Sequence, residues 1–183
     1  FVGVDQGDEW TVWKALFTAR NHACESVASY VLEGVLSAAL GNDDLGSWFA
    51  SGVEILAVPF VDKDGVERGD QGKNRRPYDH NRDYGEEGSR YPEVQALRPY
   101  VAEWCDDSLL LAIDLHCPYV RGDEHQTIFF VGGSDEANWV EVQRFSSILE
   151  GCRQGPLVYC RESNLPFGRS WNTESSGMLS SCG

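Results

Sequence analysis

His22 and Glu25 stand three residues apart in the stretch Ala19-Arg20-Asn21-His22-Ala23-Cys24-Glu25-Ser26. An imidazole nitrogen beside a carboxylate oxygen suits a divalent zinc ion, and catalytic zinc typically takes three protein ligands plus a water. His116 is a candidate for the third ligand, because it too follows an apolar segment (LLLAIDL, residues 109–115). A His-x-x-Glu spacing alone arises often by chance and is usually a solvated turn. A second histidine at an equivalent position is what gives the pair weight. Between these motifs, residues 69–90 (GDQGKNRRPYDHNRDYGEEGSR) are polar, Gly-rich and crowded with arginine. Arg75, Arg76 and Arg82 collect there against the overall charge of the chain, which suits recognition of a carboxylate or another anion. The competing reading is that they pair with Asp79, Asp83, Glu86 and Glu87 around them.

The elements that must position these residues follow from apolar spacing. Residues 10–18 (WTVWKALFT) are rich in β-branched and aromatic types and read as a strand. Val27, Ala28, Tyr30, Val31, Gly34, Val35, Ala38 and Ala39 then recur at helical spacing. His22 and Glu25 therefore fall at a strand's C-terminal end beside a helix N-terminus, the edge where open α/β sheets bind ligands. The run at 109–115 reads as a strand buried on both faces, so His116 occupies the same kind of edge. If the two strands are close and parallel, the three side chains converge. Residues 41–46 read as a turn. Residues 53–61 (VEILAVPFV) read as a second buried strand ending in the turn Asp62-Lys63-Asp64-Gly65, whose spacing does not make an EF-hand. A helix is expected over 92–105 with Pro99 straining its middle, a strand over 127–131 and a helix from a Ser134 cap to Gly151. A short strand is expected over 156–160, with a Ser/Gly-rich tail from 164. Alternating strands and helices imply an α/β sheet.

At 183 residues the chain is most simply one domain, residues 1–183, long enough to bury a sizeable core. A net charge of −14 argues against nucleic acid or an anionic membrane as a partner, and no apolar run approaches the length of a membrane span. Six cysteines with no CxxC spacing do not form a disulfide framework by arithmetic. They read as small buried apolar side chains and lean towards a reducing, cytoplasmic compartment.

Four motifs in order, ARNHACES, VPFVDKDGV, DHNRDY and IDLHCP, resemble the zinc carboxypeptidase family (peptidase family M14). They span Ala19 to Pro118. The resemblance implies a doubly wound α/β/α sandwich with a mixed sheet and one catalytic Zn2+ held by His22, Glu25 and His116. It implies that Asn81 and Arg82 bind the C-terminal carboxylate of a peptide, and that Arg75 or Arg76 polarises the scissile carbonyl, Arg75 being preferred. His80, where the family often has an apolar residue, reads as structural, and His125 as a loop residue. The family's general base is a glutamate on a later strand of Thr-hydrophobic-Glu type. Glu124, Glu136, Glu141, Glu150, Glu162 and Glu174 do not lie in such a strand, Glu174 being the best-placed leftover. The chain therefore reads as a fragment that starts after the family's first strands and stops before the strand carrying the base. Two other readings stand beside the peptidase: a zinc amidohydrolase acting on N-acyl amino acids, and a non-catalytic module that kept the pocket and lost the base.

Overall fold

A computed structural model describes residues 12–85, 88–118 and 126–173. The chain clusters into two compact units, one running through Cys117 and the other covering Pro118–Ser175. The candidate ligands all belong to the first.

The first unit is built on three strands, β1 (Trp13–Ala19), β2 (Val53–Val58) and β3 (Leu109–Leu115). They pair in the order β2-β1-β3, and both pairings are parallel. The sequence resemblance implied a mixed sheet; both pairings of this three-stranded sheet are parallel. β1 is central, and its last five residues are buried, as a strand covered on both faces must be.

Alternation along the strands sorts the helices to the two faces. Ala15, Phe17 and Ala19 of β1 pack with Ala28 and Leu32 of α1 (Ser26–Ala39), joined by Ile55 and Ala57 of β2 and by Leu111, Ile113 and Leu115 of β3. The opposite face of β2 turns Val58 towards Val94 and Leu97 of α4 (Pro92–Trp104), with Val61, Tyr84 and Tyr91. The chain leaves β1 for β2 on one side and crosses back past β1 to β3 on the other. The two crossovers run in opposite directions, and their helices α1 and α4 cover opposite faces, which is the doubly wound arrangement the resemblance implied. Leu16 points to the second face and is fully buried. Leu16→Ala is expected to cost about 2–5 kcal/mol, read as a lower denaturant midpoint; an unchanged midpoint would show that β1 is not the core strand.

Local chemistry fixes the boundaries. Residues 41–46 are not a plain turn throughout: Asp43 accepts from the Gly46 amide and caps α2 (Asp44–Gly52). Asp62 caps the short α3 (Lys63–Arg68) through the Gly65 amide, and Gly69 closes it with φ of 73°. Pro99 lies inside α4, and Val94 and Val101 to either side of it are both fully buried.

In the second unit, α5 (Glu136–Cys152) is capped by Asp135 through the Ala137 amide rather than by Ser134. The strands expected at 127–131 and 156–160 are reduced to isolated bridges, Ile128 with Tyr159 and Val131 with Leu165. None of the five described cysteines is buried, and Cys24, Cys152 and Cys160 are exposed, so a role as core apolar side chains does not hold for them. No helix among the described residues is long and apolar enough to cross a membrane.

Candidate metal centre

The turn after β1 is set by Arg20, whose φ of 64° is uncommon for a non-glycine residue. Its guanidinium donates to the Ala23 carbonyl at 2.8 Å and to Ser29 Oγ at 3.0 Å, tying the turn to α1. The reversal carries Asn21 and His22 into the interior. Glu25 stands at the N-cap of α1, yet its carboxylate makes no capping hydrogen bond. It is directed instead at two histidines.

In the β1–β3 register Ala19 pairs with Leu115, so His116 emerges beside the turn that holds His22. One ligand atom from each of His22, Glu25 and His116 lies within 4.8 Å of the others. Glu25 bridges the two rings, with Oε1 3.0 Å from His22 Nδ1 and Oε2 2.7 Å from His116 Nδ1. Each ring's far nitrogen meets an aspartate: His22 Nε2 lies 3.0 Å from Asp79, and His116 Nε2 lies 2.9 Å from Asp114. Asp114 is itself held by Thr18 Oγ1 at 2.7 Å and by Asn21 Nδ2 at 2.9 Å.

These contacts restrict the protons. An ionised aspartate only accepts, so each Nε2 carries hydrogen, and a neutral ring then presents a lone pair from Nδ1 to Glu25, which also only accepts. Two acceptor pairs at hydrogen-bond distance require a cation between them, either a proton on each ring or a metal ion at the centre. The charge balance points the same way. Burial would raise the Glu25 carboxyl, but hydrogen bonds from His116 and His22 outweigh it and hold it well below the carboxylate range. Burial likewise opposes protonation of His116, but Asp114 and then Glu25 push its pKa up to about 10. Two imidazoles, a carboxylate and an aspartate behind each ring form a donor set that fits zinc.

The remaining expected residues divide. Asn81 and Arg82 lie on a 3-10 turn, His80–Arg82, capped by Asp79 through the Asn81 amide at 2.9 Å. The aspartate that orients His22 thus also starts the turn carrying the proposed carboxylate grip. His80 is fully buried, with Nε2 2.9 Å from Glu93, a structural placement. Arg75 is placed away from the cluster. Its guanidinium donates to the fully buried Asp62, lies 3.5 Å from Glu93 and faces the Tyr91 ring. Asp62, His80 and Glu93 form a second acidic cluster, already bridged by that guanidinium. Arg76 is exposed. The cationic side chain placed on the donor cluster is Lys73, with Nζ 3.1 Å from Glu25 Oε1.

Asp79, Asp114, Asn21 and Lys73 were not singled out as site residues from the sequence. Asp114 leaves a signal, a charge inside an otherwise apolar strand, and Asp79 leads the DHNRDY motif. Nothing marks Lys73 apart from its neighbours. Of the glutamates considered as a base, Glu124 and Glu174 lie outside the described residues, as does His125. Glu136, Glu141, Glu150 and Glu162 belong to the second unit.

No protein-family model and no curated protein matches the sequence. Solved structures do. A metallo-carboxypeptidase from Burkholderia cenocepacia superposes with a TM-score of 0.64 at 21% identity, over 92% of this chain and 43% of its own. The fold is that of the metallo-carboxypeptidases. A metallo-carboxypeptidase from Pseudomonas aeruginosa, in complex with (2-guanidinoethylmercapto)succinic acid, matches with a TM-score of 0.60 at 19% identity, over 96% of this chain and 55% of its own. The chain spans about half the length of these metallo-carboxypeptidase structures.

Proposed function

We propose that this chain is the metal-bearing part of a zinc metallocarboxypeptidase catalytic domain, which hydrolyses C-terminal peptide bonds. The observation that carries the reading is the bridge of Glu25 between His22 Nδ1 and His116 Nδ1, with an aspartate behind each ring. That arrangement lies at the sheet edge where the strand order reverses, the ligand-binding edge of doubly wound folds.

Zinc held by His22, Glu25 and His116 would polarise a carbonyl and lower the pKa of its bound water towards neutrality. Asp79 and Asp114 keep each ring in the tautomer that leaves Nδ1 as the donor. Asn81 and Arg82 are assigned to the substrate's terminal carboxylate, gripped bidentately by the guanidinium, which selects chain ends. The succinic acid ligand of the Pseudomonas aeruginosa structure supports a carboxylate-bearing ligand for this fold. In this reading the chain is one partial catalytic domain.

The test is elemental analysis of the purified chain, followed by assay on a panel of peptides and N-acyl amino acids. The expected result is one zinc per chain and, in a longer protein that also carries the general base, chelator-sensitive release of C-terminal residues. Hydrolysis confined to N-acyl amino acids would replace the peptidase reading with the amidohydrolase one. A chain that takes up no zinc after reconstitution would defeat both.

A further inference from the structure

We infer that Lys73 is the catalytic residue that receives the negative charge of the scissile carbonyl oxygen, a role expected of the neighbouring arginines. The inference rests on reading the cluster as the metal centre of a peptidase.

Three observations support it. The first is position: Lys73 Nζ is 3.1 Å from Glu25 Oε1 while its side chain is 30% exposed, so it touches the donor cluster and stays reachable from solvent. The second is that its backbone is fixed from both directions. Gly72 has φ of 99°, and a Cβ there would lie 2.6 Å from the Ala23 nitrogen and 2.8 Å from His22 Cα. Only glycine permits this approach and this φ together. Beside it the Gln71 carbonyl accepts from the Cys24 amide at 3.3 Å, and the Gly72 carbonyl accepts from the Arg75 amide at 3.1 Å. Arg75 in turn is anchored on Asp62. Lys73 is therefore held between a residue pressed on the ligand turn and a residue tied to the interior, the preorganisation that electrostatic stabilisation requires.

The third is charge. Glu25, Asp79 and Asp114 bring three negative charges, and the two imidazoles are neutral when they ligate. A divalent ion leaves that cluster one negative charge, which Lys73 meets at Glu25 and Arg82 meets at Asp79. An ammonium carries three donors, so it can hold Glu25 and a substrate oxygen at once. Arg75 cannot move to that oxygen without uncovering the fully buried Asp62.

In the step itself, a water oxygen bonds to the carbonyl carbon and the C=O π pair moves onto the carbonyl oxygen. Lys73 stabilises that oxygen through an N–H hydrogen bond and keeps its own proton. As the pair returns, the C–N bond breaks, and the proton released by the water ends on the leaving amine.

The test uses the whole chain, reconstituted with zinc, as wild type, Lys73→Met and Lys73→Arg. Zinc content is measured by elemental analysis. Calorimetry measures the affinity for a peptide phosphonate, whose charged tetrahedral oxygens mimic the addition state, and for the corresponding product acid. In Lys73→Met the expected result is full zinc, nearly unchanged product binding and phosphonate affinity lower by about 10²–10³-fold, the typical loss for one oxyanion donor. Lys73→Arg is expected to recover most of the affinity. Phosphonate affinity unchanged in Lys73→Met at full zinc load would overturn the role of Lys73 and leave the peptidase reading standing. Loss of zinc in Lys73→Met would overturn it too, since the residue would then serve the metal. A wild-type chain without zinc would bring down the peptidase reading itself.

Discussion

His116→Ala is expected to leave the chain folded and without zinc. The residue lies just beyond β3, and its side chain is 29% exposed, so its loss opens no core cavity. What it removes is one of three donors, leaving Glu25 with His22 and the Lys73 ammonium. Elemental analysis after dialysis should fall from one zinc per chain to background, with the far-ultraviolet circular dichroism unchanged. Asp114→Asn is the graded companion. It keeps the shape and the contact with Thr18 but replaces the acceptor that polarises His116. Metal affinity, measured by competition with a chelating dye, should drop about 10–100-fold, as for other residues behind a ligating histidine. If His116→Ala bound zinc as tightly as the wild type, the three side chains would not be the ligands.

Arg75→Met should destabilise the protein more than any surface substitution. Asp62 is fully buried and meets the Arg75 guanidinium, which also reaches Glu93 at 3.5 Å. Removing one partner of a buried pair strands the other charge, at a cost of about 3–5 kcal/mol. Chemical denaturation should show this as a large fall in midpoint. The double variant Asp62→Asn/Arg75→Met should recover part of it, because the two residues act as a unit. An Arg75→Met protein of wild-type stability that had lost only turnover would return Arg75 to a catalytic role and leave Lys73 without one.

Arg75 and Lys73 mark where the sequence stops being readable. Both lie in one polar, basic stretch, and composition alone makes either a candidate for an anion. Which cation reaches Glu25 depends on the turn from Gln71 to Arg75, and that turn depends on Gly72 lying against His22, a contact between segments far apart in the chain. The strands were more legible. Residues 109–115 are strand from end to end as expected, but none of them is fully buried and Leu110 is exposed, so burial on both faces does not hold. α4 follows from its apolar spacing; for α1 the spacing gives the helix but not its buried face, since Val27, Tyr30 and Val31 are exposed and Leu32 is buried. α2 was hidden because Gly41-Asn42-Asp43-Asp44 looks like a turn, and only the Asp43 cap shows that a helix begins inside it. The readings at 127–131 and 156–160 fell short for another reason: alternation gives a segment the capacity to pair, but a partner of matching length must also be present.

Among the three described strands, the order β2-β1-β3 puts the one synthesised before the other two in the middle. β1 must wait for β2, and then for a strand whose Asp114 meets Thr18 across 96 positions of sequence. Pairing of this range is slow, and it leaves apolar strand surface uncovered meanwhile. On the ribosome, His22 and Glu25 would emerge long before His116, which lies 91 positions beyond Glu25. The complete donor set cannot exist until β3 has docked, so early capture of metal on half a centre is disfavoured, and a bound ion becomes a timestamp of finished assembly. From that moment the ion would also stabilise the docked state, by about 2.7 kcal/mol at a hundred times its dissociation constant.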